Sequence, residues 1–179
     1  MKYRTIVADP PWRYTNGSIP RGGVDKVFPT MSNVEIAALP VSSLAEDNAH
    51  LYLWVTNPRL FAEEYDEGVG PHEIMVRWGF RYVTLLTWYK HSGLGLGYYF
   101  RGCTEHVMFG VRGSLPIAQE IRESNFFSAP RHAHSQKPEC FLDLVERVSP
   151  GPYLELFARR ARMGWDVWGN ESLGHVELS

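Results

Sequence analysis

An acidic residue, two prolines and a tryptophan stand in a row directly after a short apolar run near the start of the sequence. The run is Tyr3 to Ala8, and the four residues that follow it are Asp9, Pro10, Pro11 and Trp12. Each proline fixes its own φ, lacks an N–H group and drives the residue before it into an extended conformation. We therefore predict a stiff turn that presents a carboxylate, free backbone carbonyls and one flat aromatic ring.

Such a turn suits the N-methylation of an aromatic amine. The lone pair of an exocyclic amine is delocalised into its ring, so the nitrogen is a poor nucleophile. Two acceptors on its N–H bonds, here the Asp9 carboxylate and the Pro10 carbonyl, would draw it toward a tetrahedral geometry and free the lone pair. Trp12 is expected to stack on the base and to orient its reacting edge. The alternative is a rigid turn whose tryptophan belongs to the core.

Strand-like and helix-like segments alternate along the chain. Apolar and β-branched runs predict strands over Tyr3 to Ala8, Leu51 to Val55, Arg81 to Tyr89, His106 to Val111, Tyr153 to Phe157 and Trp165 to Trp168. A short helix is predicted after Ser32, and a longer one over Pro138 to Val148. The stretch from Pro58 to Trp78 looks helical at both of its ends, while Ser114 to Pro130 is ambiguous. This alternation predicts an α/β fold with a mostly parallel sheet that is covered on both faces.

In open parallel sheets, ligands bind beyond the carboxyl ends of the strands. The residues that directly follow the predicted strands therefore define the expected site. They are Asp9 to Tyr14, Thr56 to Pro58, Lys90 and His91, Ala158 and Arg159, and Gly169 to Glu171.

Composition narrows the class of protein. The chain has 179 residues, 44% of them hydrophobic, which predicts a single domain over residues 1–179. The start has no signal-peptide pattern, and no apolar stretch approaches the roughly 20 residues that span a bilayer, so we expect a cytoplasmic protein without a membrane partner. The two distant cysteines, Cys103 and Cys140, suit a reducing compartment. The net charge of −2 argues mildly against a protein that holds duplex DNA by charge alone.

A series of motifs, in order, resembles the MT-A70-like family of S-adenosylmethionine-dependent N6-adenine methyltransferases. The matching segments are Asp9 to Trp12, Phe28 to Ser32, Leu51 to Thr56, Trp78 to Phe80, Thr87 to Lys90, Gly95 to Arg101 with Glu105 and His106, Lys137 to Glu139, Glu155 to Arg159 and Trp165 to Glu171. The resemblance covers nearly the whole chain. It implies a Rossmann-like three-layer sandwich in permuted order, with the catalytic strand first and the cofactor strand near the C-terminus.

The resemblance also implies a cofactor site for S-adenosyl-L-methionine. Its residues would be Asp9, Pro10, Lys137, Glu155, Phe157, Arg159, Asn170 and Glu171. Lys137 precedes a predicted helix, where it would add a cation to the positive helix end that faces the cofactor carboxylate. Glu155 stands in an otherwise apolar strand and needs a partner, either the ribose hydroxyls or Arg159. Many relatives have glutamine where this chain has Glu171, so a donor contact is lost here.

On the substrate side, the expected contacts to the target base or to phosphates are Trp12, Tyr14, Tyr99 and Arg101. A glycine-containing loop over residues 13–26 is expected to close over the site. The pair His132 and His134 lacks further cysteine or histidine ligands, so no metal site is predicted.

These observations predict a methyltransferase acting on N6 of adenine in nucleic acid. DNA is favoured over RNA, because small stand-alone members of such families look prokaryotic or viral. The enzyme would flip the base out of a duplex or take a single strand, and a homodimer or a partner subunit would help to recognise the target. The alternatives are an RNA N6-adenosine methyltransferase, a catalytically silent nucleic-acid-binding subunit, and a small-molecule N-methyltransferase.

Overall fold

A computed structural model describes residues 1–13, 30–61, 68–95, 99–118, 120–131 and 136–169. Its strands are β1 (Tyr3–Ala8), β2 (Ala45–Val55), β3 (Arg81–Lys90), β4 (Thr104–Arg112), β5 (Phe126–Ala129), β6 (Tyr153–Leu156) and β7 (Trp165–Trp168). Its helices are α1 (Asn33–Ala37), α2 (Val41–Leu44), α3 (Pro71–Arg77) and α4 (Glu139–Val148), and a 3-10 turn covers Asn57–Arg59.

The seven strands form one sheet in the order β5-β3-β4-β2-β1-β6-β7. Neighbouring strands are parallel except at β4, which runs antiparallel to both β2 and β3. The predicted mostly parallel α/β sheet is therefore confirmed. The first strand of the chain, β1, lies between β2 and β6. The carboxyl ends of the parallel strands and the amino end of β4 meet at one edge, which we call the carboxyl edge.

The central strand β1 is apolar on both faces. Ile6 and Ala8 belong to a core cluster that includes Ile36 of α1 and Ile74 of α3. Val7 points to the other face and belongs to the cluster built around α4. Because helices cover both faces, the continuous apolar run of β1 is the pattern expected of a buried parallel strand. The molecule thus has the three layers of a Rossmann-like sandwich.

Two helices follow directly from the sequence. In α1 the Ser32 side chain accepts a hydrogen bond from the backbone N–H of Glu35, and Glu35 reaches back to the Ser32 N–H, which is a capping box. In α4 an apolar stripe that includes Phe141 and Val145 packs on the sheet, and the helix ends before Ser149. Among the described helices, α4 is the longest, and none could cross a membrane.

Other elements depend on tertiary pairing. Strand β2 begins at Ala45 rather than at Leu51. Its first residues include Glu46, Asp47 and Asn48, which are residue types depleted in strands. Strand β5 lies within the stretch that the sequence leaves ambiguous, and it pairs with β3 alone at the border of the sheet. In both cases the hydrogen bonds of a neighbouring strand outweigh weak local propensity.

Candidate active site

The acidic turn begins where β1 ends, in the middle of the carboxyl edge. The Asp9 N–H donates to the Leu156 carbonyl of β6 at 3.4 Å, and the Trp12 N–H donates to the Pro10 carbonyl at 2.9 Å. The Met31 N–H donates to the Pro11 carbonyl, also at 2.9 Å. The turn is therefore held by its own backbone and by two other segments. A carbonyl oxygen has two lone pairs, so the Pro10 carbonyl keeps one for a ligand.

Trp12 lies in the core rather than in the cleft. Its side chain is 5% exposed, and its indole N–H donates to the Trp54 carbonyl of β2 at 3.1 Å. Since the ring is packed among core residues, this conformation offers no open face for a base, contrary to the expected stacking. What the contact does is tie the acidic turn to the neighbouring strand. This placement matches the alternative interpretation of the motif, a rigid turn whose tryptophan belongs to the core.

Asp9 is the first of four side chains of alternating charge that are joined by ion pairs. The Lys137 ammonium lies 3.0 Å from Asp9 Oδ1 and 3.2 Å from Glu105 Oε2. Glu105 forms a second ion pair with Lys90. The ammonium of Lys137 also lies 5.1 Å from the centre of the Trp54 ring. Because all four charged side chains are less than one-quarter exposed, each charge depends on its neighbours for compensation.

The pKa values follow from this arrangement. Burial raises the pKa of Asp9, Lys137 opposes the rise, and the Glu105 carboxylate adds to it. Burial acts to lower the pKa of Lys137, but the Asp9 and Glu105 carboxylates outweigh burial and raise it. Burial also acts against the ionised form of Glu105, yet Lys137 and Lys90 lower the pKa of this carboxyl overall. Lys137 and Glu105 are therefore held in their charged forms, while Asp9 is the one of these three groups whose pKa is shifted toward the protonated form.

Glu155 lies on β6, the strand adjacent to β1. Burial raises the pKa of its carboxyl to about 7, and the Asp9 carboxylate adds to this effect, while Arg160 and Arg162 oppose it. Near neutral pH the side chain is thus present both as an acid and as a carboxylate. It can donate or accept a hydrogen bond accordingly.

Asp9, Lys137 and Glu155 line a cleft at the carboxyl edge. Its walls are Val7, Asp9, Trp54, Gln136, Lys137, Pro138, Phe141, Leu142, Glu155, Phe157, Arg159 and Arg160. The structure thus brings together five residues that the sequence assigned to the cofactor, namely Asp9, Lys137, Glu155, Phe157 and Arg159. A mixed lining of aromatic rings and a few charged groups is typical of small-molecule sites.

The loop after β6 has an unusual backbone. Phe157 adopts a φ of 64°, a region that costs a non-glycine residue free energy and that is enriched at functional sites. The Ala158 N–H donates to the Trp168 carbonyl at 3.0 Å. A Cβ atom on Gly169 would lie 2.4 Å from the Ala158 carbonyl oxygen, so only glycine allows the ends of β6 and β7 to approach this closely.

Some predicted site residues lie elsewhere or outside the described residues. Tyr99 is 96% exposed, and the Arg101 Nε–H donates to the Gly95 carbonyl at 2.7 Å, so both belong to the connection between β3 and β4 rather than to the cleft. Tyr14, Asn170 and Glu171 fall outside the described residues, as do most of the predicted loop over residues 13–26 and the pair His132 and His134. Within the described ranges, no group of three or more histidine, cysteine or acidic residues could hold a metal ion.

The sequence did not assign a role to Glu105 or Trp54, and it named Lys90 only as a residue that follows a predicted strand. Sequence reasoning examined the carboxyl ends of strands, whereas Glu105 stands at the amino end of β4. That end reaches the same edge because β4 is antiparallel to β2 and β3. The sequence does contain a signal for this pair. Lys90 ends the apolar strand β3 and Glu105 stands near the start of the apolar strand β4, and burying such charges costs free energy unless they pair.

The comparisons with known proteins agree with this geometry. The MT-A70 family model matches residues 3–171 of the chain. This protein belongs to the MT-A70 family. Like the ordered motifs, the match extends from β1 to β7. It therefore includes every residue that lines the cleft.

Three relatives of this MT-A70 member differ in length. The Type II methyltransferase M.MunI of Mycoplasma sp is 29% identical, over 95% of this chain and 78% of the relative. The human N(6)-adenine-specific methyltransferase METTL4 is 31% identical, over 96% of this chain but 38% of the relative. The human N(6)-adenosine-methyltransferase catalytic subunit METTL3 is 27% identical, over 95% of this chain and 28% of the relative. The chain therefore spans most of the first relative and a minority of the other two.

Proposed function

We propose that this MT-A70 member transfers a methyl group from S-adenosyl-L-methionine to N6 of adenine in nucleic acid. The observation that carries the proposal is the position of Asp9. Its carboxylate stands at the end of the central strand β1, in a cleft that also contains Lys137 and Glu155. An acceptor for an amine and a separate set of groups for a charged nucleoside thus lie side by side.

The residues of the cleft fit this cofactor. Glu155, half-buried with a raised pKa, needs a polar partner, and a ribose diol offers two hydroxyl groups. Lys137 and Arg159 are cations in the cleft wall, and Lys137 lies just before the N-terminus of α4, so both suit a carboxylate. Phe157 provides an apolar surface beside them. When bound, the cofactor supplies a sulfonium methyl group that an amine nitrogen can accept.

The acidic turn would act on the target amine. An oxygen of Asp9 and the remaining lone pair of the Pro10 carbonyl would each accept one N–H bond, which draws the nitrogen lone pair out of conjugation with the ring. Because both prolines hold the turn still, no reorganisation is needed when the methyl group arrives. After transfer the nitrogen must lose a proton, and Asp9 is suited to take it because burial raises its pKa.

DNA is the substrate we favour over RNA. The chain spans 78% of a Type II methyltransferase, and a relative named as adenine-specific is matched over 38% of its length. The relatives named for adenosine, or for RNA, are matched over 28% and 49% of their lengths. A homodimer or partner subunit would supply target recognition. We also place the protein in the cytoplasm, where Cys103 and Cys140 would stay free thiols, as they are here.

Two other functions remain as competing hypotheses. A catalytically silent subunit would bind nucleic acid without transferring a methyl group, and the intact acidic turn with its Lys137 partner speaks against it. A small-molecule N-methyltransferase would methylate free adenosine and leave oligonucleotides unmodified.

One experiment separates these functions. The protein is incubated with radiolabelled S-adenosyl-L-methionine and, in separate reactions, with matched pools of single-stranded DNA, duplex DNA and RNA and with free adenosine, and the polymer products are digested to nucleosides. We expect label in N6-methyldeoxyadenosine. Label in N6-methyladenosine would assign the enzyme to RNA, label in free adenosine alone would make it a small-molecule enzyme, and no label in any pool would overturn the proposal.

A further inference from the structure

Two large aromatic side chains are exposed side by side on the outer strands of the sheet. Tyr89 of β3 is 39% exposed and Phe126 of β5 is 54% exposed. Their rings are stacked, with centroids 6.4 Å apart and planes inclined by 20°. The register pairs Thr87 with Phe126 and Tyr89 with Ser128, so both rings point to the same face of the sheet. We call Tyr89 and Phe126 the aromatic pair.

This face is the one that carries α1 and α3. Leu85 packs against the core cluster of that face, and Thr87 and Tyr89 follow it at intervals of two along β3. The aromatic pair lies toward the carboxyl edge, since Tyr89 is the second-last residue of β3. It is therefore at the same end of the molecule as Asp9, although the cleft beside Asp9 lies on the opposite face of the sheet, against α4. A bound strand that reaches both must cross the carboxyl edge.

A row of polar side chains connects the pair with the middle of the edge. His106 of β4 contacts Asn57 Oδ1 through Nε2 at 2.6 Å and Thr87 Oγ1 through Nδ1 at 3.1 Å. The Asn57 amide N–H groups point to the Thr104 carbonyl and hydroxyl. Asn57 Oδ1 must therefore accept from His106 Nε2–H, and Nδ1 accepts from the Thr87 hydroxyl. We call Asn57, His106 and Thr87 the polar row; it crosses from the end of β2 over β4 to β3.

The row and the pair have the dimensions of a short strand of nucleotides. Strand β3 is separated from β1 by β2 and β4, and three spacings of about 4.8 Å amount to roughly 14 Å. That length accommodates a few extended nucleotides between a base at Asp9 and a base at the aromatic pair.

Cationic side chains stand beyond the pair. Arg131 comes shortly after β5, and its backbone N–H donates to Ser92 Oγ in the loop that follows β3 at 2.7 Å. A Cβ atom on Gly95 would lie 3.0 Å from a guanidinium nitrogen of Arg131, so this side chain lies against the same loop as Arg101. A phosphate next to the aromatic pair would therefore meet positive charge.

Resting on the proposed function, we propose that the polar row and the aromatic pair bind unpaired nucleotides of the target strand on one side of the adenine. Tyr89 and Phe126 stack on a base, the second lone pair of Asn57 Oδ1 accepts a hydrogen bond from a base edge or sugar, and Arg131 contacts a phosphate. Stacking of this kind suits single-stranded nucleic acid, since every base has a π-face. It also suits a chain with a net charge of −2, which has little capacity to hold a duplex through phosphates.

The test compares substrates of different length. Methyl transfer is measured on a single-stranded adenine-containing oligonucleotide and on a trinucleotide centred on adenine, which is too short to reach the pair. We expect Tyr89→Ala and Phe126→Ala each to raise the KM for the oligonucleotide about tenfold. The KM for the trinucleotide, the KM for the cofactor and the kcat on both substrates should stay as in the wild type.

Matched controls come from the same chain. Tyr82→Ala removes an exposed tyrosine at the opposite end of β3, and Phe61→Ala removes a phenylalanine that is 88% exposed. Both variants should behave as the wild type. Arg131→Ala should lower the slope of log affinity against log salt by about one, whereas the aromatic variants should leave that slope unchanged.

The outcomes separate this inference from the proposed function. A wild type that methylates the oligonucleotide, together with aromatic variants of unchanged oligonucleotide KM, overturns the inference alone. A wild type that methylates nothing overturns the proposed function, and fluorescence anisotropy with a labelled oligonucleotide then tests the surface directly. Unchanged anisotropy with a changed oligomeric state in the aromatic variants would assign this surface to a protein partner and contradict the inference.

Discussion

The Lys137 ammonium lies 3.0 Å from Asp9 Oδ1, although the two residues are far apart in the sequence. Their side chains are 19% and 22% exposed, so neither charge is well solvated. The pair forms because β1 ends and α4 begins at the same edge of the sheet. Lys137 therefore compensates Asp9 in the structure described here, and a cofactor carboxylate would share the same ammonium.

Removing the carboxylate of Asp9 should abolish methyl transfer without unfolding the protein. Asp9→Asn keeps one oxygen acceptor but loses the charge and the capacity to take a proton, so we expect kcat to fall at least a hundredfold. The side chain lies beyond the last residue of β1, so the circular dichroism spectrum should not change. Asp47→Asn, an exposed acid on β2, is the control and should keep full activity. Comparable turnover in a folded Asp9→Asn variant would remove Asp9 from the mechanism.

Lys137→Ala should weaken cofactor binding more than it slows the chemical step. We expect the KM for the cofactor to rise at least tenfold and kcat to fall by a smaller factor. The substitution also leaves Asp9 and Glu105 without their shared cation, which should lower the free energy of unfolding by about 2 kcal/mol. Steady-state kinetics and urea denaturation measure the two effects, with the exposed Lys2→Ala as control. An unchanged cofactor KM would exclude Lys137 from the cofactor site.

Glu155 should make stability depend on pH. Its pKa is about 7 in the folded chain and near 4.5 when unfolded, so the folded state binds a proton more tightly between these values. The free energy of unfolding should therefore fall as the pH rises through this window, by about 2 kcal/mol from this group. In the wild type the free energy of unfolding should therefore differ between about pH 5 and pH 8, and Glu155→Gln should remove the part of this difference that Glu155 contributes.

Urea denaturation at the two pH values, in the absence of cofactor, measures this difference. Glu46→Gln changes an acid at the start of β2 and serves as the control, because it should leave the pH dependence of the wild type in place. Equal pH dependence in the Glu155→Gln variant and the wild type would show that Glu155 is not the group responsible.

Trp12→Phe distinguishes a positioning role from base stacking. The substitution keeps an aromatic ring in the core but deletes the N–H that bonds the Trp54 carbonyl, at a cost of about 1–2 kcal/mol in stability. Because the acidic turn is then less firmly held, we expect kcat to fall about tenfold while the KM for an oligonucleotide stays constant.

Trp78→Phe deletes a comparable buried bond, from the indole N–H to the Ile36 carbonyl at 3.2 Å, and should affect stability alone. If Trp12→Phe instead raised the oligonucleotide KM at constant kcat, the ring would contact the base as the sequence predicted. In that case the turn would have to open when substrate binds.

The sequence by itself determined the elements whose signals are local. The apolar run from Tyr3 to Ala8 is a strand because both its faces can be buried, and the two prolines after Asp9 make a turn in any surroundings. The Ser32 capping box and the apolar stripe of α4 likewise depend on residues three or four positions apart. The ordered motifs, which are also local, are sufficient to identify the family.

Only the tertiary structure decided which charges meet and which rings are buried. The reversal of β4 brings Glu105 to Lys137, the pairing of β5 with β3 exposes Phe126 beside Tyr89, and the contact with Trp54 turns Trp12 into the core. Each of these depends on strands distant in sequence that become neighbours in the sheet. Local propensity carries no information about such neighbours, because the free energy that selects them comes from burial and hydrogen bonding across the whole sheet.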